Sequence, residues 1–174
     1  MSMRFEDYKR AFSQEAIGRY DIAPVYADIH LFTHLVEDLA APFVQQKIDK
    51  VVAIDSLGFV LGTAVALRLK KGIILARKEG GIPISNSLKI QRSFVDYTGA
   101  EKKLELNRRL ILENENLLIV DDWVEAGSQV RAVISMIEEL GARVAGISCI
   151  GSDRNEKTED LFTQYNLKSI GVNV

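Results

Sequence analysis

The sequence contains a single cysteine and almost no net charge, and each scarcity excludes a class of protein. Cys149 is the only cysteine in 174 residues, so the chain cannot form an internal disulfide. Its place within an apolar run predicts a buried and unreactive thiol, which suits a reducing cytoplasm. The formal net charge of −2 gives no electrostatic reason to expect a nucleic acid or an anionic membrane as a partner.

Long apolar runs are also missing. No segment approaches the roughly 20 apolar residues that a membrane-spanning helix needs. The opening residues MSMRFEDYKR carry charge throughout, unlike a secretory signal peptide. Hydrophobic residues make up 47% of the chain and charged residues 26%, which is the balance of an ordinary globular protein. The length then predicts one cytoplasmic domain that occupies residues 1–174.

Hydrophobic patterns near the N-terminus predict two helices. The first helix places Phe5, Tyr8 and Phe12 on one face. The second follows the segment DIAPVYAD and ends near Pro42, because proline breaks or kinks a helix. Its inner face is predicted to consist of Ile29, Phe32, Val36, Leu39 and Phe43.

From residue 50 onward, predicted strands and helices alternate. Short apolar runs predict buried strands at residues 50–55, 73–77, 117–120, 143–150 and 167–172. Helical patterns occupy residues 58–72, 129–141 and 156–166, with Gly72 and Gly141 as the stop signals of the first two. Alternation of this kind predicts an α/β fold in which a mostly parallel, twisted sheet is flanked by helices on both faces.

The segment 79–104 interrupts this alternation. It begins with Gly80, Gly81 and Pro83 and continues as a polar stretch without a helical or strand period. Irregular segments of this length in compact domains tend to be functional or mobile. We therefore expect a flexible hood over a binding site.

The strand predicted at 117–120 runs directly into two adjacent acids, Asp121 and Asp122. In an open parallel sheet, ligands bind beyond the carboxyl ends of the strands. The turn that follows contains Gly127 and leads into a helix whose first amides have no intrahelical partner, which favours an anion. Carboxylates that accept hydrogen bonds from hydroxyls, beside amides that hold a phosphate, suit a sugar phosphate.

Two other interpretations of the acid pair deserve comparison. One aspartate could simply cap the helix. A response-regulator receiver also carries paired acids, but after its first strand, and it needs a separate phosphoacceptor aspartate and a late lysine. The pair in this sequence follows a late strand, so the receiver interpretation fits poorly.

Two more strands end in polar residues. Asp55 and Ser56 follow one strand and lead into a helix through Gly58, which offers a second cluster of exposed amides. Arg77 and Lys78 end the next strand and can meet negative charge. Either feature alone is explained by a tight turn or by solvated cations. Three such features at successive strand ends predict one anionic ligand.

In this order, the motifs resemble those of the type I phosphoribosyltransferases, and among these the adenine phosphoribosyltransferases. The resemblance covers about residues 20–150. The segments that carry it are RYDIAPVYAD, AIDSLGFVLGTAVALRL, LARKEGGIP, VDYTGAEKKLEL and LLIVDDWVEAGSQ. The resemblance implies the family fold with a flexible hood, a homodimer, and transfer of the phosphoribosyl group of 5-phosphoribosyl-1-pyrophosphate (PRPP) to a nitrogenous base such as a purine.

The resemblance also implies a role for each strand end. Asp121 and Asp122 would hold the ribose 2- and 3-hydroxyls and act in catalysis. Mg²⁺ would reach the site bound to PRPP oxygens rather than to protein ligands. The residues implied at the 5-phosphate are Glu125, Ala126, Gly127, Ser128 and Gln129. The residues implied at the pyrophosphate are Asp55, Ser56, Leu57, Arg77 and Lys78. The residues implied at the base are Tyr20, Asp21 and Ile22, with Asp96 as the candidate for proton handling.

The sequence departs from the family pattern at four of these positions. Leu57 stands where the family has an arginine on pyrophosphate, Tyr20 replaces an arginine near the base, and Asp96 is shorter than the usual glutamate. Glu125 lies beside the expected phosphate, where like charges about 4 Å apart cost roughly 4 kcal/mol at an effective dielectric near 20. We therefore expect its side chain to point away from the phosphate.

Two functions remain open at this stage. The first is a phosphoribosyltransferase that acts on a purine or a less usual base. The second is a regulatory module that binds PRPP without transferase activity. A regulator would usually carry a nucleic-acid-binding domain, whereas few residues precede Tyr20 and the chain is not basic. The enzyme is favoured.

Overall fold

The buried apolar runs form the strands of one sheet in the computed structural model, which describes residues 2–13, 20–96 and 99–173. The strands are β1 (Lys50–Ile54), β2 (Gly72–Lys78), β3 (Lys89–Val95), β4 (Glu101–Asn107), β5 (Asn116–Val120), β6 (Trp123–Val124), β7 (Arg143–Ser152) and β8 (Leu167–Val172). The helices are α1 (Phe5–Lys9), α2 (Ala23–Ala27), α3 (Ile29–Ala40), α4 (Leu57–Leu69), α5 (Ser128–Glu139) and α6 (Glu159–Thr163).

The sheet is mostly parallel, as predicted. Its order is β3-β4-β2-β1-β5-β7-β6, and β8 also pairs with β7. The pairs formed by β1 with β2 and β5, and by β7 with β5, β6 and β8, are parallel. The pairs of β4 with β2 and β3 are antiparallel and form one edge of the sheet. The sequence patterns predicted no antiparallel edge.

Helices cover both faces of the sheet because successive strand residues point to opposite sides. In β1, Val51 packs into the core beneath α3 and α4, whereas Val52 packs into the core beneath α5. Both side chains are fully buried. A central strand buried on both faces explains why its residues read as a continuous apolar run.

The N-terminal helices form largely as predicted. Phe5, Tyr8 and Phe12 are all buried, as the pattern predicted, but α1 ends at Lys9 and Phe12 lies in the turn that follows. The second helix ends at Ala40, just before Pro42, as expected.

The predicted inner face of α3 was only partly correct. Leu39 and Phe43 are buried, but Ile29 is 68% exposed and Leu35 occupies the central buried position. The carboxylate of Asp28 accepts hydrogen bonds from the amides of His30 and Leu31 and so sets where the helix begins. Ile29 therefore lies at the solvent-facing start of the helix.

The stop signal of α4 was also misplaced. Lys70, rather than Gly72, adopts the left-handed conformation that ends the helix, with φ of 57°. The amide of Lys71 then donates to the carbonyl of Ala66 at 2.8 Å, which satisfies the last turn. Gly72 is already the first residue of β2.

Much of the predicted hood segment, 79–104, is regular. Strand β3 and the start of β4 lie in this segment, and the two strands pair from Lys89 opposite Asn107 to Val95 opposite Glu101. Ile90 and Phe94 are buried in the core that also contains α5. The prediction that this segment lacks a packing pattern was therefore wrong, because its alternation is visible only once its hairpin partner is known. Its mobility remains a prediction, and Tyr97 lies outside the described residues.

Among the described residues, no helix has both the length and the apolar character needed to cross a bilayer.

Candidate active site

The polar ends of three strands meet at one edge of the sheet. Strand β1 pairs in parallel with β2 on one side and with β5 on the other. Ile54 is level with Ala76, and Ala53 is level with Val120. The residues that follow these positions therefore emerge side by side. This arrangement brings together the groups at 55–57, 77–78 and 121–122, as the sequence predicted.

Asp121 is a buried carboxyl at the centre of this edge. It is 4% exposed, and its Oδ1 accepts a hydrogen bond of 2.9 Å from the amide of Asp122. Burial, together with the neighbouring charge of Asp122, raises the pKa of Asp121 well above its usual range. The carbonyl of Asp122 accepts hydrogen bonds from the amides of Ile150 and Gly151, which anchors the acid pair to β7.

The start of α4 packs directly against this pair. A methyl group on Gly58 would lie 3.0 Å from Asp121 Oδ1 and 3.0 Å from the carbonyl oxygen of Val120. A side chain at this position would force Asp121 or the Val120 carbonyl to shift, so glycine eases this approach. The first turn of α4, with its free amides, is therefore held beside the acid pair.

The loop after the pair borders a cavity of about 110 Å³. Gly127 has φ of +71°, and a Cβ at this residue would lie 2.7 Å from Leu161 of α6. The positive φ favours glycine at this turn, and a side chain there would also displace Leu161. Helix α5 begins at the next residue, Ser128, so its unpaired amides lie at the loop. The cavity is lined by Asp121, Asp122, Glu125, Ala126, Gly127, Ser128 and Gln129, together with Val95, Asp96, Trp123, Val124 and Val130.

The side chain of Glu125 is half-buried at this loop. It lines the cavity beside the expected phosphate position. That it points away from a bound phosphate stays a prediction.

The residues implied at pyrophosphate lie around the ends of β1 and β2. Asp55 is half-buried, and its carboxylate lies 3.6 Å from the ammonium of Lys78, so that cation is already partly neutralised. Ser56 is exposed, and Leu57 is 41% exposed at the first residue of α4. The Nε of Arg77 is buried and has no hydrogen-bond partner among the described residues. Within the described part of the chain, Arg77 Nε therefore lacks a partner of the kind that Lys78 has in Asp55.

Asp96 reaches the same cavity from the end of β3. It is 8% exposed, and its carboxylate accepts the amide of Ala100 at 3.1 Å and forms an ion pair with Lys102. The structure thus brings Asp96 and the acid pair to one cavity, although 25 positions separate Asp96 from Asp121 in the sequence.

Comparisons with known proteins agree with this geometry. The family described as the phosphoribosyl transferase domain matches residues 25–173. The chain belongs to the phosphoribosyltransferase family. It is 37% identical to the adenine phosphoribosyltransferase of Dinoroseobacter shibae, over 80% of this chain and 78% of that protein. It is 35% identical to the adenine phosphoribosyltransferase of Geobacter metallireducens, over 76% of this chain and 75% of that protein.

Solved structures agree with the family assignment. The crystal structure of adenine phosphoribosyltransferase from Thermoanaerobacter pseudethanolicus superimposes with a TM-score of 0.85 at 25% identity. The match covers 97% of this chain and 99% of that one. The fold of this phosphoribosyltransferase is therefore the family fold over nearly its whole length.

The three residues implied at the base occupy different environments in this phosphoribosyltransferase. Tyr20 is 38% exposed, and its ring lies under the ammonium of Lys9 at 5.3 Å. The carboxylate of Asp21 accepts a hydrogen bond of 3.0 Å from the amide of Ala23, the first residue of α2. Ile22 is buried in the core beneath α3 and α4. Contact of any of the three with a base stays a prediction.

Sequence reasoning missed an aromatic residue at the cavity wall. Trp123, which follows the acid pair, packs its ring against Gly151, where a Cβ would lie 2.4 Å from Trp123 Cη2. The ring centroid of Trp123 lies 5.5 Å from that of Tyr20 and 6.0 Å from that of Phe5. As the only tryptophan of the chain, directly after two acids, it carried a signal that the motif comparison overlooked.

A second missed residue is Tyr26 of α2. Its hydroxyl is buried and has no hydrogen-bond partner among the described residues. Burial, followed by the charges of Asp122 and Asp121, raises the pKa of Tyr26. Nothing in the sequence pattern of α2 indicated that this tyrosine lies in the electrostatic field of the acid pair.

The donor set fits a magnesium ion that arrives with its substrate. Among the residues that the structure describes, no group of three or more acidic, histidine or cysteine side chains forms a metal site. Mg²⁺ usually retains water and binds through one or two carboxylates together with substrate phosphates. Two half-buried carboxylates at this edge, Asp55 and Asp122, would face the water shell of an ion whose direct ligands are PRPP oxygens.

Proposed function

We propose that the protein transfers the phosphoribosyl group of PRPP to adenine or a closely related purine and releases pyrophosphate. The observation that carries this proposal is the acid pair, with Asp121 buried and Asp122 half-buried, between the first turn of α4 and the glycine turn that begins α5. Relatives named adenine phosphoribosyltransferases, at 33–37% identity, support adenine as the base.

PRPP binding would divide among the three strand ends. The amides at Gly127 and Ser128 and the side chain of Gln129 face the 5-phosphate, while Asp121 and Asp122 accept hydrogen bonds from the ribose hydroxyls. The guanidinium of Arg77 meets the pyrophosphate. Each group is held by the fold before the substrate arrives, so little free energy is spent on ordering the site.

In the reaction, a ring nitrogen of the base forms a bond to the anomeric carbon, and the bond from that carbon to pyrophosphate breaks. Positive charge develops on the ribose ring, and the carboxylate of Asp122 would stabilise that charge. Magnesium bound to PRPP oxygens would supply neutralisation of the leaving group. Asp96 accepts the proton that the attacking base loses, because its carboxylate borders the same cavity.

The test is a panel of purine and pyrimidine bases incubated with PRPP and magnesium and assayed for nucleotide and pyrophosphate. We expect turnover with adenine above all other bases, and none in Asp121→Asn/Asp122→Asn. Calorimetric binding of PRPP without turnover of any base would instead favour the regulatory module. No binding of PRPP would overturn both functions.

We also propose that the protein forms a homodimer through α4. Val60 and Leu67 are 42% and 74% exposed, and their spacing of seven residues places them along one stripe of the helix. An exposed apolar stripe of this kind is a common mark of an association surface. Light scattering should give twice the chain mass of 19.4 kDa, and Leu67→Asp should give the monomer. A wild-type monomer at assay concentration contradicts the proposal.

A further inference from the structure

A buried ion pair lies behind the end of β2, away from the acid pair. Glu105 of β4 is fully buried, and the ammonium of Lys89 lies 3.2 Å from both of its carboxylate oxygens. The side-chain amide of Gln91 donates to the same carboxylate at 2.9 Å. The side chain of Lys89 is only 7% exposed. A lysine and a glutamate buried together are costly to desolvate, so their presence calls for a specific reason.

The carboxylate of Glu105 also holds the turn that follows β2. The amide of Ile82 donates to Glu105 Oε1 at 2.6 Å. The preceding residue, Gly81, lies against the side chain of Arg77: a Cβ at Gly81 would be 2.9 Å from Arg77 Nε. Glu105 therefore fixes the segment that covers one side of the Arg77 guanidinium.

Arg77 and Glu105 are themselves direct neighbours in the sheet. They are paired opposite each other in the antiparallel β2–β4 ladder, so their side chains leave the same face. Arg77 Nε nevertheless has no hydrogen-bond partner among the described residues, whereas Glu105 accepts hydrogen bonds from Lys89, Gln91 and the amides of Ile82 and Gly80. The buried carboxylate of Glu105 thus forms its ion pair with Lys89 and not with Arg77.

We propose that Lys89 and Glu105 are positioning residues that keep the Arg77 guanidinium available for the pyrophosphate group of the substrate. This inference rests on the proposed function and assigns a role to groups outside the site. Lys89 neutralises Glu105, so the carboxylate does not capture Arg77. Glu105 in turn anchors the 79–82 turn that fixes where Arg77 lies.

The protonation state of Glu105 agrees with this role. Burial acts to raise the pKa of Glu105, but the hydrogen bonds from Ile82, Gln91 and Lys89 outweigh burial and hold the pKa below its usual range. The group is therefore a carboxylate at neutral pH and would attract a second cation if Lys89 were removed.

Charge-removing variants separate this role from a purely structural one. Lys89→Met leaves a buried carboxylate opposite Arg77, and we expect Arg77 to pair with it, so that pyrophosphate affinity falls by about tenfold. Glu105→Gln removes the competing charge but keeps an oxygen for the Ile82 amide, so affinity should change by less than about threefold. The double variant Lys89→Met/Glu105→Gln should regain most of the affinity that Lys89→Met loses.

The experiment is calorimetric titration of each variant with magnesium pyrophosphate, with thermal unfolding measured on the same samples. Lys50→Met is the matched control, because Lys50 pairs with Glu115 at 2.6 Å at the start of β1, away from the site edge and from the 79–82 turn. We expect wild-type affinity in this control.

The outcomes distinguish the positioning role of Lys89 and Glu105 from the proposed transferase function. A folded Lys89→Met protein that binds pyrophosphate as tightly as wild type overturns the inference. If Lys89→Met does not fold, the neutral double variant decides: binding within about threefold of wild type supports the inference, and a tenfold loss overturns it. A double variant that regains thermal stability but not affinity also overturns it. A wild-type protein that binds no pyrophosphate overturns the proposed function and this inference with it.

Discussion

The α-carbon of Gly58 lies so close to Asp121 that a methyl group added to it would come within 3.0 Å of the carboxylate oxygen Oδ1. Gly58 lies in the first turn of α4, which follows β1, and Asp121 directly follows β5, so the contact joins the start of α4 to the acid pair. The close approach places the free amides of one helix beside the carboxyl groups that we propose to hold ribose.

Gly58→Ala tests this contact. The methyl group forces α4 or Asp121 to shift, at a cost of about 1–3 kcal/mol for overpacking. We expect weaker PRPP binding in calorimetry and a lower melting temperature. Gly72→Ala is the matched control, since its nearest atom would be Lys50 Cγ at 3.9 Å. Unchanged PRPP affinity in Gly58→Ala would show that the approach of α4 does not matter for binding.

Asp121→Asn should alter the pH dependence of stability. The folded pKa of Asp121 is raised above the ordinary 3.8, so the folded state holds this proton more tightly than the unfolded state. The stability that this contributes is complete below the unfolded pKa and is lost as pH rises through the folded pKa. Asparagine stays neutral, so the variant should match wild type in acid and exceed it at higher pH.

Chemical denaturation between about pH 4 and pH 8 measures this difference. Asp49→Asn is the opposing control, because hydrogen bonds from Asn116 lower the pKa of Asp49. The lowered pKa contributes stability to the wild type above the unfolded pKa, and this stability is lost as pH falls through the folded pKa. Asp49→Asn should therefore be less stable than wild type at neutral pH. The difference between the two proteins should disappear in acid. Parallel curves for wild type and Asp121→Asn would contradict the burial argument.

Asp160→Asn should weaken the support that α6 gives to residues 125–129, the loop proposed to bind the 5-phosphate. The guanidinium of Arg131 on α5 binds Asp160 on α6 with two hydrogen bonds, one of them 2.6 Å long, and Leu161 packs against Gly127. The ion pair of Arg131 and Asp160 is partly exposed, so it contributes only a small free energy to the contact between α5 and α6. We expect KM for PRPP to rise by about three- to fivefold, or roughly 0.6–1 kcal/mol, with kcat nearly unchanged.

Glu159→Gln is the control for that variant. It breaks the neighbouring surface pair with Arg154, in which both side chains are about half exposed and which does not involve α5. Its KM should equal that of wild type. An equal rise in both variants would assign the effect to α6 as a whole rather than to its contact with the loop.

Leu57→Arg should strengthen pyrophosphate binding. Leu57 is 41% exposed at the first residue of α4, so a longer side chain has room to extend. A hydrogen bond to a charged group contributes roughly 1.5–3 kcal/mol, which corresponds to about tenfold or more in affinity. Pyrophosphate inhibition measured in both proteins gives the comparison. A folded variant without any gain would mean that this turn does not face pyrophosphate.

The sequence alone predicted the fold class and the chemistry of the strand ends. Buried strands and amphipathic helices leave local periods, so their alternation indicated a mostly parallel sheet with helices on both faces. Asp121, Asp122 and Gly127 lie within seven consecutive positions, and their function depends on a local turn. Patterns of this kind are readable because the residues that cooperate are neighbours in the chain.

Contacts between distant segments were decided only by the tertiary structure. The hairpin of β3 and β4 escaped prediction because each strand is half-buried and its partner sets which face is inside. The phase of α3 depended on the cap at Asp28, which exposes Ile29 and buries Leu35. The residue type determines the charge and volume of a side chain, but it does not determine which distant group will lie beside that side chain. The pairing of Glu105 with Lys89 rather than Arg77, and of Gly58 with Asp121, follows from packing that local sequence does not encode.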